Sequence, residues 1–478
     1  MDKHYLQPLF TPESILVFAG QPDDRARATA HAKVLLAALS AQDFKGRIDY
    51  LDIHTTGTLA ELAQARADLA IIALPNDEVA AALEVAGRIK CRAALVVSSG
   101  IDARLAADLH QQARRLGLFL LGPNCLGVQR PTLGLNASVA GALAHPGPLA
   151  LVSQSGALTA SILDWARRNG VGFSQMVSLG PNTAVDIAQV LDFLSADPQT
   201  HSIVVYLEGI SNARRFMSSL RAAANAKPVV VLKAGRKPAG NRAAQTHSGA
   251  IVGSDDVFDA ALRRAGAVRV RSFVQLFSAA KCLASRYRPV GRRLAILTNG
   301  GGPGVLAADW ANEINLQLGE LSAGSAAALA PDLPPLATLD DLIDLSEEAT
   351  PAHYRRAAEA VSQDTGIDGL LVIHSPKSGC DATAVAKELV ELRKRFGKPL
   401  LACWMGDASV IEAREMLNAA AIPSFRTPEA AVGAFGNIAS FYQNQQLLQQ
   451  TPPPLSTLAK PDIEGARLLI ESVLAERR

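Results

Sequence analysis

Residues 149–166 read LALVSQSGALTASILDWA, and this passage decides the fold. The apolar run Leu149–Val152 has the length of a strand buried on both faces. Ser-Gln-Ser-Gly breaks the run, and the apolar residues that follow fall at helical spacing. A strand that passes through a small-residue turn straight into a helix is the first half of a βαβ unit. The same alternation extends in both directions. Upstream, SILVFAG, GRIDYLDI, LAIIALP, AALVVSSG and GLFLLGP are strand-like, separated by the Ala/Leu-rich helical stretches ATAHAKVLLAALSAQ, TLAELAQA, DEVAAALEVAGRIK and ARLAADLHQQARRLG. Downstream come SIVVYLEG and PVVVLKAG, with a close near GAVRVRSFVQLFSAAKCLAS, then LAILTNG, GLLVIHSP and PLLACWMG.

The expected fold is therefore α/β, with three Rossmann/flavodoxin-like doubly wound domains on mainly parallel sheets. At roughly 150 residues per domain, a chain of 478 residues has room for three. Residues 1–135 form the first unit, 147–285 the second and 290–450 the third, with PTLGLNASVAGALAHPGP (131–148) read as a loop between the first two. TPPPL at 451–455 marks a linker, and 462–478 reads as an amphipathic helix. The units are not sequence repeats.

Composition narrows the function. Hydrophobic residues make up 49%, enough for a sizeable core, so a disordered chain is excluded. Lys and Arg number 47 against 45 Asp and Glu, and aromatic residues are 5%, which argues against nucleic-acid binding. No apolar run approaches the roughly 18 residues of a membrane helix, and the N-terminus has no signal-peptide pattern. Five cysteines without C-x-x-C spacing predict reduced thiols of the cytoplasm and no metal site.

Ligands of such folds gather where strands run into helices, because unpaired N–H groups point outward there. Gly20 ends the first strand, but VFAGQPDDRARATAHA lacks a G-x-G-x-x-G fingerprint, so an ordinary turn is an equal reading. Asp49 and Asp52 close the next strand, where an NAD-dependent oxidoreductase would keep its ribose acid. GPNCLGV (122–128) makes a tight turn with Asn124 at its apex, and Cys125 reads as a buried thiol. Ser153, Gln154, Ser155 and Gly156 form an anion cradle, with a plain N-cap as the competing reading. KAGRKPAGNRAAQTHSGAIVGSDD (233–256) reads as a loop that sets His247 among small residues and Lys233, Arg236, Lys237 and Arg242. That suits a histidine nucleophile towards phosphate. Glu208, ending SIVVYLEG, is a candidate partner for its Nδ1 proton. TNGGGPGVLAADW (298–310) supplies a second glycine-rich junction.

Taken together, GPNCLG, SQSGAL and THSGAI resemble the nucleoside-diphosphate-forming acyl-CoA synthetases, which include the succinyl-CoA synthetase alpha subunit and ADP-forming acetyl-CoA synthetases. The resemblance covers roughly residues 10–280, and the third unit looks like the ligase domain that follows in the acetyl-CoA enzymes. SILDWA, VYLEGISNARRF, LLVIHSP and FRTPEA are similar to the synthetase-like half of bacterial proteins fused to a GNAT-type lysine acetyltransferase. The resemblance implies a CoA-binding first domain and a phosphohistidine at His247 oriented by Glu208. It further implies phosphate held by Ser153–Gly156, with Gly301, Gly302 and Gly304 in support. Coenzyme A would lie across Gly20, Leu74, Pro75, Asn76, Ser99, Gly100 and Asn124. ATP/ADP and Mg2+ would enter only through an ATP-grasp subunit or further domain, the acyl donor would be a small carboxylate or acyl phosphate, and an oligomer is implied. The sequence departs from the family at QPDDRARATA, which lacks a later glycine, at LDIHTTGTL, which lacks a basic residue, and at DDLIDL, where an Asn-Pro usually stands. The expected activity is acid–thiol ligation through acyl phosphate. The alternatives are a CoA- or acyl-CoA-sensing regulatory region of a lysine acetyltransferase, and the NAD-dependent oxidoreductase.

Overall fold

The structure is a computed structural model that describes residues 4–19, 29–41, 43–53, 66–181, 183–248, 254–284, 291–377, 379–450 and 462–475. Its strands gather into three sheets. The first holds β1 (Ser14–Phe18), β2 (Arg47–Tyr50), β3 (Leu69–Ile72), β4 (Ala93–Val96) and β5 (Phe119–Leu121) in the order β2-β1-β3-β4-β5, all parallel. All four residues of β3 and of β4 are buried, as strands covered by helices on both faces must be. Helix Ala103–Leu116, which runs between β4 and β5, has its ends fixed locally. The Asp102 side chain caps it by accepting from the Leu105 N–H, and Gly117 closes it at φ +71°.

The second sheet takes β6 (Gly127–Arg130), β7 (Leu135–Ser138), β8 (Pro146–Ser153), β9 (Phe173–Ser178), β10 (Ser202–Leu207), β11 (Val229–Lys233) and β12 (Val268–Val270). Their order is β12-β11-β10-β8-β9-β6-β7. The β6–β7 hairpin is antiparallel and extends this sheet beyond β9. The stretch 131–148 is thus not one loop. It contains β7 and the start of β8, and the proposed limit of the first unit at residue 135 falls inside the hairpin. The physical reason is an exposed edge: β6 covers the backbone groups of β9 that would otherwise face solvent.

The third sheet is built from β13 (Arg293–Thr298), β14 (Gln317–Leu318), β15 (Ile343–Asp344), β16 (Gly369–His374), β17 (Leu400–Trp404) and β18 (Ser424–Phe425), in the order β14-β13-β16-β17-β18 with β15 on β13. Counted within each unit, and with the two-residue β15 left aside, the parallel strands follow one order, 2-1-3-4-5. This is the flavodoxin-like winding, and its switch point lies between strands 1 and 3. The sequence does not repeat, but the topology does, three times.

Packing joins the units. One core cluster runs from Ile15, Leu69 and Leu95 of the first sheet to Val152, Val205 and Val231 of the second. The helix Pro428–Gln449 spans about 33 Å at 1.5 Å per residue. Its first half buries Ala431, Val432 and Phe435 in the third core. Further along, the Asn444 amide donates to the Ala267 carbonyl at 2.7 Å and the Gln445 amide to the Ala224 carbonyl at 2.7 Å, both in the second unit. Helix Ile463–Ala475 has no buried residue, and its apolar Leu468, Leu469, Ile470 and Leu474 are exposed. No described helix is long and apolar enough to cross a membrane.

Candidate functional site

At the carboxyl edge of the second sheet, β8 ends at Ser153 and helix Gly156–Arg168 begins three residues later. Ser153 is fully buried, and its Oγ donates to the Ser155 carbonyl at 2.9 Å while accepting from the Ser155 N–H at 3.1 Å. Ser155 is the N-cap, its Oγ accepting from the Leu158 N–H at 3.4 Å. Both hydroxyls therefore shape the turn. What the turn presents to an anion are the first helical N–H groups, those of Gly156 and Ala157, which have no acceptor within the helix.

Gln154 has a different place from the one expected of it. Its backbone N–H bonds the Tyr206 carbonyl at 3.2 Å, and its side chain crosses to the exit of β10. There Oε1 accepts from the N–H groups of Glu208 (2.6 Å) and Gly209 (3.1 Å), while Nε2 donates to the Gly209 carbonyl at 3.1 Å. The Glu208 carbonyl accepts from Lys233 Nζ at 2.9 Å, from the end of β11. Glu208 is thus held on both sides of its peptide at 7% exposure. Burial pushes the neighbouring Tyr206 phenol up to about 12, with the Glu208 charge adding to it. Burial also draws the Lys233 ammonium below its usual range, partly opposed by the charge of Asp255.

The segment that carries His247 is a helix, Pro238–Ser248, where the sequence suggested a loop. Proline is well placed at a first helical position, where its missing N–H costs nothing, and the Ala, Arg and Gln residues that follow favour a helix. His247 lies on its last turn, and its side chain is outside the described residues. The segment leaves from Lys233, and its far end at Asp255 starts the helix Asp255–Arg264, within electrostatic reach of Lys233. Lys233, which bonds the Glu208 carbonyl, thus precedes the segment and feels the charge at Asp255 beyond it.

In the first unit, the expected CoA residues line one edge. Leu74, Pro75 and Asn76 follow β3, Ser99 and Gly100 follow β4, and Asn124 follows β5. Gly20 lies outside the described residues. Ser99 and Gly100 are exposed, whereas the asparagine amides are engaged internally. Asn76 Nδ2 donates to the Gly100 carbonyl at 3.1 Å, and the Asn124 amide pairs with the Ile101 backbone at 3.1 and 2.7 Å. Asn124 itself stands at φ +59°. Asp49 forms an ion pair with Arg47 at 2.9 Å, so one of the two acids on which a nicotinamide reading rested has its own partner.

The GPNCLG turn connects this edge to the second. The Gly122 N–H donates to Thr183 Oγ1 at 3.2 Å, and the Leu126 N–H donates to Ser178 Oγ at 3.1 Å. A Cβ on Gly180 would meet the Asn124 carbonyl oxygen at 2.4 Å, and one on Gly156 would meet the Leu126 side chain at 3.2 Å. The edge of the first sheet and the Ser153–Gly156 turn therefore sit on either side of one short turn. Cys125, buried in that turn, has its thiol pushed up to about 12 by burial, which makes it a packing residue.

The third unit repeats the second at its own edge. Thr298 Oγ1 donates to the Gly300 carbonyl at 2.9 Å and accepts from its N–H at 3.2 Å, as Ser153 does at Ser155. Asn299 Nδ2 donates to the Ser375 carbonyl at 3.0 Å, and its Oδ1 accepts from the Ser375 N–H at 2.9 Å, as Gln154 does at Glu208 and Gly209. Gly301 and Gly302 open the helix Gly301–Glu313 and are exposed, their N–H groups facing outward. Gly304 does not join them. It is buried, and a Cβ there would meet Leu342 at 3.0 Å and Thr298 at 3.2 Å, so this glycine serves close packing. Asp344, from the DDLIDL stretch, comes beside Gly301, with its Oδ2 at 3.4 Å from where a Cβ would stand.

Sequence reasoning missed Asn299, Ser375 and the grip of Lys233 on Glu208, and it misread Gln154. A signal was present. Ser-Gln-Ser-Gly and Thr-Asn-Gly-Gly share one pattern of hydroxyl, carboxamide, small residue and glycine after a strand. Only the strand register shows that each carboxamide faces the exit of the neighbouring strand.

Comparison with known proteins agrees with this geometry. Residues 146–283 match the family described as succinyl-CoA ligase like flavodoxin domain. The ADP-forming acetate–CoA ligase I of Archaeoglobus fulgidus is 36% identical over 373 residues, 77% of this chain and 53% of the relative. The alpha subunit of ADP-forming acetate–CoA ligase I from Pyrococcus furiosus is 32% identical over 375 residues, 77% of this chain and 81% of the subunit. The chain thus spans about half the length of the first relative. Among solved structures, the dinucleotide-forming acetyl-coenzyme A synthetase 1 of Ca. Korarchaeum cryptofilum, in complex with phosphate and ADP, superposes with a TM-score of 0.85. It is 28% identical, and the match covers 95% of this chain and 99% of that one. With an alpha subunit matched over four-fifths of its length and the fold matched almost throughout, the chain belongs to the family of ADP-forming acetate–CoA ligases.

Proposed function

We propose that this chain is the CoA-binding and ligase portion of an ADP-forming acyl-CoA synthetase, an acid–thiol ligase that acts on acetate or a comparably small carboxylate. A phosphoryl group enters on His247 from ATP bound to an ATP-grasp subunit or domain, with Mg2+ supplied there. The carboxylate oxygen attacks phosphorus, the N–P bond breaks, and acyl phosphate forms with His247 released. The CoA thiolate then attacks the acyl carbon and inorganic phosphate leaves. Splitting the reaction through a covalent intermediate lets ATP and CoA bind at separate places. The Gly156 and Ala157 N–H groups, with those of Gly301 and Gly302, stabilise the transferring group, and Glu208 accepts the Nδ1 proton of His247. CoA lies along Leu74–Asn76, Ser99–Gly100 and the Asn124 turn. The free thiols of all five cysteines fit a reducing compartment, and we place the protein in the cytoplasm.

The observation that supports this reading most is the double grip on Glu208, at the end of the strand paired with β11, from which the histidine helix follows. A buried carboxylate held at its peptide by Gln154 and Lys233 is what a histidine nucleophile needs to keep one tautomer. Incubation with acetyl [32P]phosphate is expected to label the chain with an acid-labile, alkali-stable phosphate that His247→Ala abolishes. Equal labelling of both proteins would remove His247 from the reaction.

A further inference from the structure

We infer that Gln154 is a positioning residue for the phosphohistidine exchange, acting through Glu208 and not by touching phosphate. The inference rests on the reading of His247 and Glu208 above. The backbone N–H and both carboxamide atoms of Gln154 already have protein partners. Its backbone N–H bonds the Tyr206 carbonyl, its Oε1 receives the Glu208 and Gly209 N–H groups, and its Nε2 reaches the Gly209 carbonyl. The bond to the Glu208 N–H, at 2.6 Å, is the shortest of the set.

The third unit shows what the same device looks like without a carboxylate to hold. There Asn299, one methylene shorter, pairs with the N–H and carbonyl of a single residue, Ser375. Ser375 occupies the place of Glu208 at the strand exit. The longer glutamine reaches both N–H groups of a two-residue turn, and that turn bears Glu208. Lys233 secures the same residue from β11 by its carbonyl. With the peptide fixed from two neighbouring strands, the direction in which the Glu208 side chain leaves the backbone is fixed as well. A displacement of about 1 Å in such a group costs on the order of 100-fold in rate. Gln154 therefore works on the orientation of the histidine and not on the affinity for the phosphoryl donor.

The test is a double-mutant cycle on the full chain, reading the rate of label transfer from acetyl [32P]phosphate. At saturating donor, Gln154→Ala is expected to slow His247 labelling by about 10-fold or more, with the half-saturating donor concentration changing less than about twofold. In the Glu208→Gln background the same substitution is expected to change the rate less than about twofold, because the carboxylate through which it acts is gone. Equal slowing in both backgrounds would make Gln154 a general brace of the edge and overturn the inference, as would no slowing in either. If Gln154→Ala does not fold, Gln154→Glu enters the same cycle. It keeps an acceptor for both N–H groups but turns an anionic oxygen towards the Gly209 carbonyl and adds a charge near Glu208, so a loss of at least about threefold, confined to the Glu208 background, is expected. A loss independent of background overturns the inference there too. A chain with no His247-dependent label removes both readings, whereas a His247-dependent label with a background-independent loss removes this one alone.

Discussion

Single buried residues set the acid limit and much of the stability. His374 ends β16 with no exposed surface, stacked on Trp404 at 5.4 Å, and its Nε2 has no hydrogen-bond partner. Burial pulls the imidazole down to about 4, slightly opposed by the charge of Asp381. An unfolded histidine titrates near about 6.5. Between those values the unfolded chain binds a proton that the folded chain refuses, so stability falls with falling pH, by roughly 3 kcal/mol across the window. His374→Leu is expected to flatten this part of the pH profile of the urea midpoint, and an unchanged acid slope would refute the assignment. Arg130 and Asp197 are a second case. Burial pushes the Asp197 carboxyl up, but the bonds and charge of Arg130 outweigh it and hold the group below its usual range. The pair is closed by guanidinium contacts of 2.8 and 3.1 Å, both side chains almost wholly buried. Arg130→Met leaves a buried carboxylate unpaired, and a loss of about 3–5 kcal/mol in equilibrium unfolding is expected.

Among the elements, the helix Pro428–Gln449 has the widest reach. One half lies in the core of the third unit, and the other carries Asn444 and Gln445 onto carbonyls of the second. Asn444 is 6% exposed, so its bond to the Ala267 carbonyl is shielded from water. Asn444→Ala removes that donor and strands the carbonyl, which costs about 1–3 kcal/mol. Scanning calorimetry is expected to show the transition of the second and third units lowered by a few degrees. A midpoint unchanged by the substitution would mean that apolar packing alone joins the units. The length of this helix was not legible beforehand. AIPSFRTPEAAVGAF announces its start through Thr427 and Pro428, but the polar second half, YQNQQLLQQ, carries no apolar stripe. Its partners are backbone carbonyls 177 and 221 residues earlier in the chain.

At the scale of the molecule, one winding recurs three times, and the carboxyl edges of the first two copies adjoin. The first and second edges meet at Gly180, whose φ of +69° and 2.4 Å clearance for a Cβ against the Asn124 carbonyl admit only glycine. Gly180→Ala must push the two edges apart. Transfer of the acyl group to CoA is expected to fall by about 10-fold or more, while labelling of His247 by acetyl phosphate, which uses the second and third edges and not the first, changes far less. Following both half-reactions on the same variant checks this. Equal losses would mean that the glycine supports the second unit alone.

The sequence by itself determined the α/β class, the three units and the positions of most of the longer parallel strands. Strands buried on both faces are continuous apolar runs, and the turns after them are marked by small residues. It also named the family and the histidine segment, through GPNCLG, SQSGAL and THSGAI. The tertiary structure alone decided that Phe173–Ser178 and the hairpin Gly127–Ser138 belong to the second sheet, because FSQMVS and GVQR are too polar to stand out as buried strands. It decided, too, what the carboxamides do. Gln154 and Asn299 sit in strand-to-helix turns of the kind that bind anions, and spacing along the chain alone would place them with a ligand. Their bonds run sideways to residues 54 and 76 positions away, and pairing at that distance is set by strand register, which no local pattern encodes.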